Sequence, residues 1–471
     1  MNRDDTIDAG RRRRERAFVV AGVLALSACA APPLPPRPAG VTPPPAWSVA
    51  PADATPTDLA AWWQGFQDPM LSELVARALA RNTDVRTAQA RLAQSRAARE
   101  LALAGLRPVL SASVSAQRNK AEDASSSRTA QGALTAGWDI DLFGSARRGA
   151  EAASADLQSS DLAMAATRVS IAAEVGSTYV QLRAFQARFK LAGDILQAQT
   201  ETDQITQWRA KAGLASALEV ERSRAELAQL QALMPTLAAS VAQTSDALSV
   251  LAGDLPLAWR DRLAAATDIP MPATGLTLDI PAQTLRQRPD VRAAELAVDA
   301  AAARVSQAGA THLPSFLLQS SLAWKAMSIG SLGGNAARAL IGSTNLPLLD
   351  GGTRRAQVHS QEAQLDAALA AYDASSLQAL QEVEDLLAGV SASRDRLAAL
   401  RVAADAAQNA ALMANQRHAA GLIDFQVVLD TQRTLLNALD SVVTTRAELA
   451  IGHVRLFKAL GGGWKPTPER S

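Results

Sequence analysis

The chain has 471 residues, a formal charge of +1, 48% hydrophobic residues and only 4% aromatics. Near-neutral charge gives no electrostatic pull toward nucleic acid or acidic lipid. Four His and a single Cys leave little material for a metal site or a disulfide framework, and the abundance of Ala suits long helices in close contact better than a bulky core.

The first feature in chain order is a basic cluster, Arg11 to Arg14 with Arg16, followed by a mostly apolar stretch, residues 17–28, that ends in Leu26-Ser27-Ala28-Cys29. A basic region, a short apolar stretch and small residues before a cleavage point describe a secretory signal over residues 1–28. The stretch is too short to cross a bilayer as a stable helix. The local string resembles the bacterial lipobox, in which the Cys thiol is acylated and becomes the new N-terminus. Cys29 is the expected lipidation site; the plainer alternative is an idle Cys after an ordinary signal. Residues 29–58, with Pro32, Pro33, Pro35, Pro36, Pro38, Pro43, Pro44 and Pro45, read as an extended tether.

The rest is a repeat. Asp84-Val85-Arg86 recurs as Asp290-Val291-Arg292, Pro108 as Pro314, Arg147-Arg148 as Arg354-Arg355, Ala212-Gly213-Leu214 as Ala420-Gly421-Leu422, and Leu251 with Gly253 as Leu460 with Gly462. The order is kept and the offset drifts only slightly. Two copies of one unit are expected, residues 59–253 and 286–464, with a linker over 254–285 and a tail over 465–471. Each copy opens with one helix, Pro69 to Gly105 and Pro289 to Gly309. Two segments of strand character follow, then two long helices broken at the Ala-Gly-Leu tripeptide. The span 146–210 has no Pro; as one helix of roughly 60 residues it is on the order of 90 Å long, a scale that means a coiled coil or helical barrel rather than an ordinary bundle. Leu227, Leu230, Leu233, Leu237, Val241, Thr244, Leu248 and Leu251 form a heptad-like seam, and Leu449, His453, Leu456 and Leu460 form another. Pro235 inside the first seam predicts a kink or break.

Leu134, Ala136, Trp138, Ile140 and Leu142 alternate with Thr135, Gly137, Asp139 and Asp141, and Phe316 to Trp324 alternates less cleanly. Strand partners are expected at 109–118 and 337–347, with loops at 119–129 and 326–336. Runs of about ten residues match a tilted transmembrane strand. Four strands cannot close a barrel in lipid without leaving backbone groups unpaired, so membrane use requires several copies; three would give twelve strands. Soluble hairpins on a small sheet are the alternative.

Several strings are specific. Trp62-Trp63, Phe66 and Asp68-Pro69 come first, then Asn82-Thr83-Asp84 with Ala88, Ala90, Arg91 and Leu92. Trp138-Asp139-Ile140-Asp141-Leu142-Phe143-Gly144 precedes Arg147-Arg148. Arg288-Pro289-Asp290-Val291, Asp350-Gly351-Gly352 with Arg354, and Leu456-Phe457-Lys458-Ala459-Leu460-Gly461-Gly462-Gly463-Trp464 complete the set. Together they resemble the signatures of TolC-like outer-membrane factors, in the NodT and OprM branch of lipoproteins that pair with resistance-nodulation-division pumps. Asp139 stands for the usual Glu and Leu349 for the usual Phe.

The resemblance implies a mainly α protein with membrane β-structure. It implies a homotrimer with a twelve-stranded barrel, four strands per chain, continued by a periplasmic α-helical barrel with a mixed α/β equatorial belt. It also implies a periplasmic adaptor protein, an inner-membrane pump and outer-membrane lipid as partners. In such proteins the helix turns meet the adaptor, which assigns Gly213, Leu214, Gly421 and Leu422 to adaptor contact; each Gly could equally serve only as a helix cap. Acidic rings narrow the periplasmic aperture in the family, and Asp430, Asp424 and Glu219 are the candidates, with Glu221 near them. Val427 departs from a double ring, and solvated surface charge is the competing role. Arg209, Arg222 and Arg417 are candidate latch partners. The histidines, His312, His359, His418 and His453, form no ligand motif, and His418, near a tip, reads as a surface residue rather than a switch. No P-loop, Rossmann fingerprint or nucleophile elbow is present, so no metal, cofactor, catalytic residue or nucleic-acid partner is expected. The expected function is the outer-membrane channel of tripartite efflux of small molecules. A factor for type I protein secretion and a pore-less periplasmic coiled-coil scaffold are the alternatives.

Overall fold

The computed structural model describes residues 41–48, 59–119, 127–272, 281–326 and 336–464. Cys29, the signal and most of the tether lie outside the described residues. The chain divides into two compact units. The first holds described residues within 92–160 and 293–373; the second holds those within 41–91, 161–292 and 374–464.

A 3₁₀ turn at Leu59–Phe66 leads into α1 (Pro69–Arg81) and α2 (Thr83–Ala104). Strands β1 (Val109–Asn119) and β2 (Ser127–Ile140) precede α3 (Ser145–Lys211) and α4 (Ala217–Leu251). Short helices α5 (Arg260–Leu263) and α6 (Pro281–Gln287) follow, then α7 (Pro289–Ala310), β3 (Ser315–Ala326), β4 (Ala336–Asn345), α8 (Thr353–Ala419) and α9 (Phe425–Ala459). The helices pair in length: α2 and α7 have 22 residues, α3 and α8 67, α4 and α9 35.

Three expectations need correction. The expected single helix from Pro69 to Gly105 is two helices. Asn82 separates them, because its Oδ1 accepts the Asp84 and Val85 N–H groups while its Nδ2 donates to the Leu251 carbonyl. That side chain caps a new helix instead of extending the old one. Pro235 does not break α4. The Gln231 carbonyl that loses its N–H partner belongs to an exposed residue, where it is open to solvent. Strand β2 stops at Ile140, short of Leu142, because Asp141 leaves the ladder and its Oδ2 accepts the Arg147 N–H at 2.9 Å, capping α3.

In the first unit the helix packing is alanine-based: Ala150, Ala152, Ala300, Ala301, Ala302, Ala303, Ala308 and Ala310 are buried. Small side chains let helices approach closely, and polar bonds pin them: Ser95 to Ser160 at 2.7 Å, Ser159 to the Ala293 carbonyl at 2.9 Å, and Arg304 to Asp156.

The second unit holds the aromatic core. Trp62 stacks on Phe457 at 5.5 Å and meets Phe66 edge-on. A Cβ at Gly176 would lie 2.8 Å from the Trp62 ring, so only Gly lets α3 pass there. Asp68 caps α1 by accepting the Met70 and Leu71 N–H groups and also accepts the Tyr179 hydroxyl at 2.7 Å. The segment after α9 closes onto the 3₁₀ turn through the Gly463 N–H and the Leu59 carbonyl, 2.7 Å apart. Both seams lie on buried or half-buried helix faces.

Like Arg183, Arg288 is a buried cation of this unit. It donates to Asp290 at 2.7 and 3.1 Å, to Glu382 at 2.8 Å and to the Ala459 carbonyl at 2.9 Å, tying the start of α7 to α8 and the end of α9. Removing it leaves two carboxylates and a carbonyl without their donor. Arg288→Ala is expected to cost about 3 kcal/mol, the low end for a buried pair because both acids keep some solvent contact. Urea unfolding of the purified protein checks this, and Arg288→Lys, lacking the planar fork, recovers only part of the loss.

Candidate functional site

The first site is the sheet. Its four strands run antiparallel in the order β1-β2-β3-β4. Register places Leu110, Ala112 and Val114 of β1, Leu134, Ala136, Trp138 and Ile140 of β2, Phe316, Leu318, Leu322 and Trp324 of β3, and Leu340 of β4 on one face. The opposite face carries Ser111, Ser113, Ser115 and Gln117, Thr129, Gln131 and Thr135, Gln319 and Ser321, and Ser343 and Asn345. Period-two alternation therefore makes one mostly apolar and one mostly polar surface, although Ser320, Arg338 and Thr344 share the first face and Val109, Leu317 and Ile341 the second. Among the described residues the apolar surface is largely uncovered at its edges: Leu110 is 72% exposed, Val114 70% and Leu340 73%. Among the described residues strands β1 and β4 are each paired on one side only, so two rows of backbone donors and acceptors stand open.

The second site is the pair of helix turns. Gly213 has φ +74° and Gly421 φ +73°. At each turn two bonds close the helix end: Leu214 N–H to the Arg209 carbonyl and Gly213 N–H to Ala210, then Leu422 N–H to Arg417 and Gly421 N–H to His418. This is the Schellman arrangement, which needs a left-handed residue just past the helix. It leaves Leu214 70% and Leu422 73% exposed at the two tips. Beneath the second turn Ala414, Phe425, Val428 and Leu429 form a small core.

Side chains link the helices behind these turns. Arg209 of α3 reaches His418 of α8 at 2.6 Å, Arg222 of α4 donates to Gln426 of α9 at 2.7 Å, and Arg433 of α9 pairs with Glu226 of α4 at 2.7 Å. The candidate latch cations Arg209 and Arg222 thus bind a histidine and an amide, not acids, while Arg417 contributes its carbonyl to the turn. His418 is half-buried and bonded on both ring nitrogens, unlike the surface residue expected. Glu226 and Arg433 were missed, and His418 was misplaced, because nothing in one helix's sequence says which turn of another helix it faces.

The acidic candidates separate. Glu219 is engaged by its own helix: Ser216 N–H donates to it at 2.6 Å, and the Glu219 N–H returns to the Ser216 hydroxyl. That capping box holds its carboxyl below the usual range. Asp424 stands at the N-cap of α9 with no side-chain cap bond, and Asp430 is exposed one turn before Arg433. Among the described residues no group of acids, His or Cys could hold a metal ion.

Residues 74–254 and 280–462 match the family model described as outer membrane efflux protein. A probable efflux pump outer membrane protein of Pseudomonas putida, TtgC, is 32% identical over 86% of this chain and 85% of its own length. The pyoverdine export outer membrane protein OpmQ of Pseudomonas aeruginosa is 28% identical over 95% of this chain and 96% of its own. Among solved structures, the outer-membrane channel OprN superimposes with a TM-score of 0.85 at 31% identity, covering 93% of this chain and all of that one.

The cap at the first tip gives a direct check. Ser216→Ala removes one half of the capping box and strands the other, and is expected to cost about 1 kcal/mol. Amide exchange at residues 217–220 should rise several-fold while the last turn of α3 stays protected.

Proposed function

We propose that this chain, which belongs to the outer membrane efflux protein family, works as one of three identical copies around a shared conduit. It is an outer-membrane channel component of an efflux system. The finer reading is that four strands from each copy close a twelve-stranded barrel, apolar face to lipid and polar face to water. The observation that carries it is the amphipathic sheet with two open edges. The strands, 10 to 14 residues long, have the reach a tilted membrane strand needs. Among the described residues no helix is long and apolar enough to cross a membrane.

The mechanism is a change of solvent. A polar solute loses its hydrogen bonds on entering hydrocarbon; a wall of Ser, Thr and Gln side chains keeps it in water throughout. The long helices carry that path into the periplasm, two structural repeats per copy, as their matched lengths suggest. The exposed turns at Leu214 and Leu422 receive a periplasmic adaptor, which couples the conduit to an inner-membrane pump. Acylation at Cys29 anchors each copy to the outer membrane, since each buried acyl CH₂ adds about 0.8 kcal/mol. Asp430, repeated three times around the axis, lines the periplasmic aperture and favours cations.

Single-channel recording in planar bilayers tests the conduit. The wild type conducts with cation preference, and Asp430→Ala conducts with that preference reduced. Absence of current from verified folded trimers overturns the pore, and unchanged selectivity overturns only the role of Asp430. The faces are tested by neighbouring residues of β1. Val114→Arg turns a charge toward lipid and is expected to cost about 2–4 kcal/mol, whereas Ser113→Arg turns it to water and is tolerated. Equal yields of heat-resistant trimer from the two variants would contradict the assignment.

A further inference from the structure

His418 occupies a position where one proton changes a bond from attractive to repulsive. Its Nε2 lies 2.6 Å from Arg209 Nη1, and its Nδ1 lies 3.2 Å from the Ile423 carbonyl. A guanidinium only donates. Nε2 must therefore be the acceptor, and the ring proton sits on Nδ1, where it donates to Ile423. The neutral ring satisfies both partners with this one tautomer. A protonated ring carries N–H groups on both nitrogens, so Nε2–H would point at a cation that has no lone pair to offer. The contact would become two positive charges at hydrogen-bond distance.

Arg209 ends α3 and His418 ends α8, each in the last turn before a tip. We propose that Arg209 and His418 form a proton-sensitive brace that holds the two tips together at neutral pH and releases them on acidification. For its consequence, a docking surface whose two halves change spacing with periplasmic pH, the brace rests on the reading of these turns as docking tips.

The surrounding charges support the assignment to His418. Glu219 on α4 interacts electrostatically with both Arg209 and His418, but its carboxyl is held below the usual range by the Ser216 N–H and stays ionised. Phe425 on α9 meets the ring at 5.3 Å and brings no charge. Arg417 beside it and Asp424 at the start of α9 bring one charge of each sign. Of the other histidines, His453 is pushed down to about 4 by burial and stays neutral, while His312 and His359 belong to the other unit. The remaining ties between the hairpins, Arg222 to Gln426 and Arg433 to Glu226, contain no histidine. They keep the helices together further from the tips, so release is confined to the turns.

The test is a distance measurement on the full chain. Spin labels at Lys211→Cys and Ala419→Cys, both exposed, report tip separation by pulsed electron resonance at about pH 7.5 and about pH 5.5. The expected result is a shift to a longer, broader distribution at acid pH. In His418→Gln, whose amide accepts from Arg209 and donates to Ile423 at any pH, the short distance should persist at both. Arg209→Gln keeps a donor for the neutral ring but removes the cation and should blunt the acid shift. An unchanged wild-type distribution, or an equal shift in His418→Gln, would overturn the brace. The readout needs no partner, so failure of the brace is separable from failure of the docking role.

Discussion

An antiparallel sheet of four strands that is greasy on one side, wet on the other and unpaired along both edges cannot rest by itself in either water or lipid. In water the apolar face is uncovered; in hydrocarbon each unpaired backbone group costs several kcal/mol. Lipid on one face, water on the other and further strands on both edges relieve all three problems together. In the proposed assembly, strands that continue edge to edge with water on the inner face enclose a wetted path. Nothing in this account requires a reactive group. That assembly would keep solute and solvent together while the membrane stays sealed outside.

The strings that are most specific in the sequence turn out to be joints. Asp68 and Asn82 cap α1 and α2, Asp141 caps α3 as β2 ends, and Arg288 fastens the start of α7 to two other helices. Asp350 does for α8 what Asp141 does for α3, accepting the Gly352 and Arg354 N–H groups. The Gly-rich end near Trp464 packs where Trp62 and Leu59 leave no room for a side chain. Capping satisfies the backbone groups a helix end leaves open, and a chain built of long helices concentrates its specific chemistry at the ends. These signatures therefore identify the fold well, and the carried solute poorly.

Much of this was legible in advance because it is periodic or local. Alternation placed the faces of β2 and β3, the Ala-Gly-Leu tripeptides placed the turns, and the heptad spacing found the buried faces of α4 and α9. What failed was local competition. Asn82 looked like one more helix residue until its side chain bonded both forward and across to Leu251, and Pro235 looked like a breaker although an exposed turn tolerates it. At the tips the glycines were readable, since a positive φ has few occupants. The partnership of Arg209 with His418 was not, because it depends on how the helices carrying two residues 209 positions apart come to lie side by side.

The central claim is that the edges of the sheet are filled by neighbouring copies. Amide hydrogen exchange of the protein in a lipid bilayer measures it strand by strand. The account predicts that β1 and β4 are as protected as the inner strands β2 and β3, on both sides of every backbone. Rapid exchange along the outward-facing amides of β1 and β4, with β2 and β3 protected, would mean the edges are free and would contradict it.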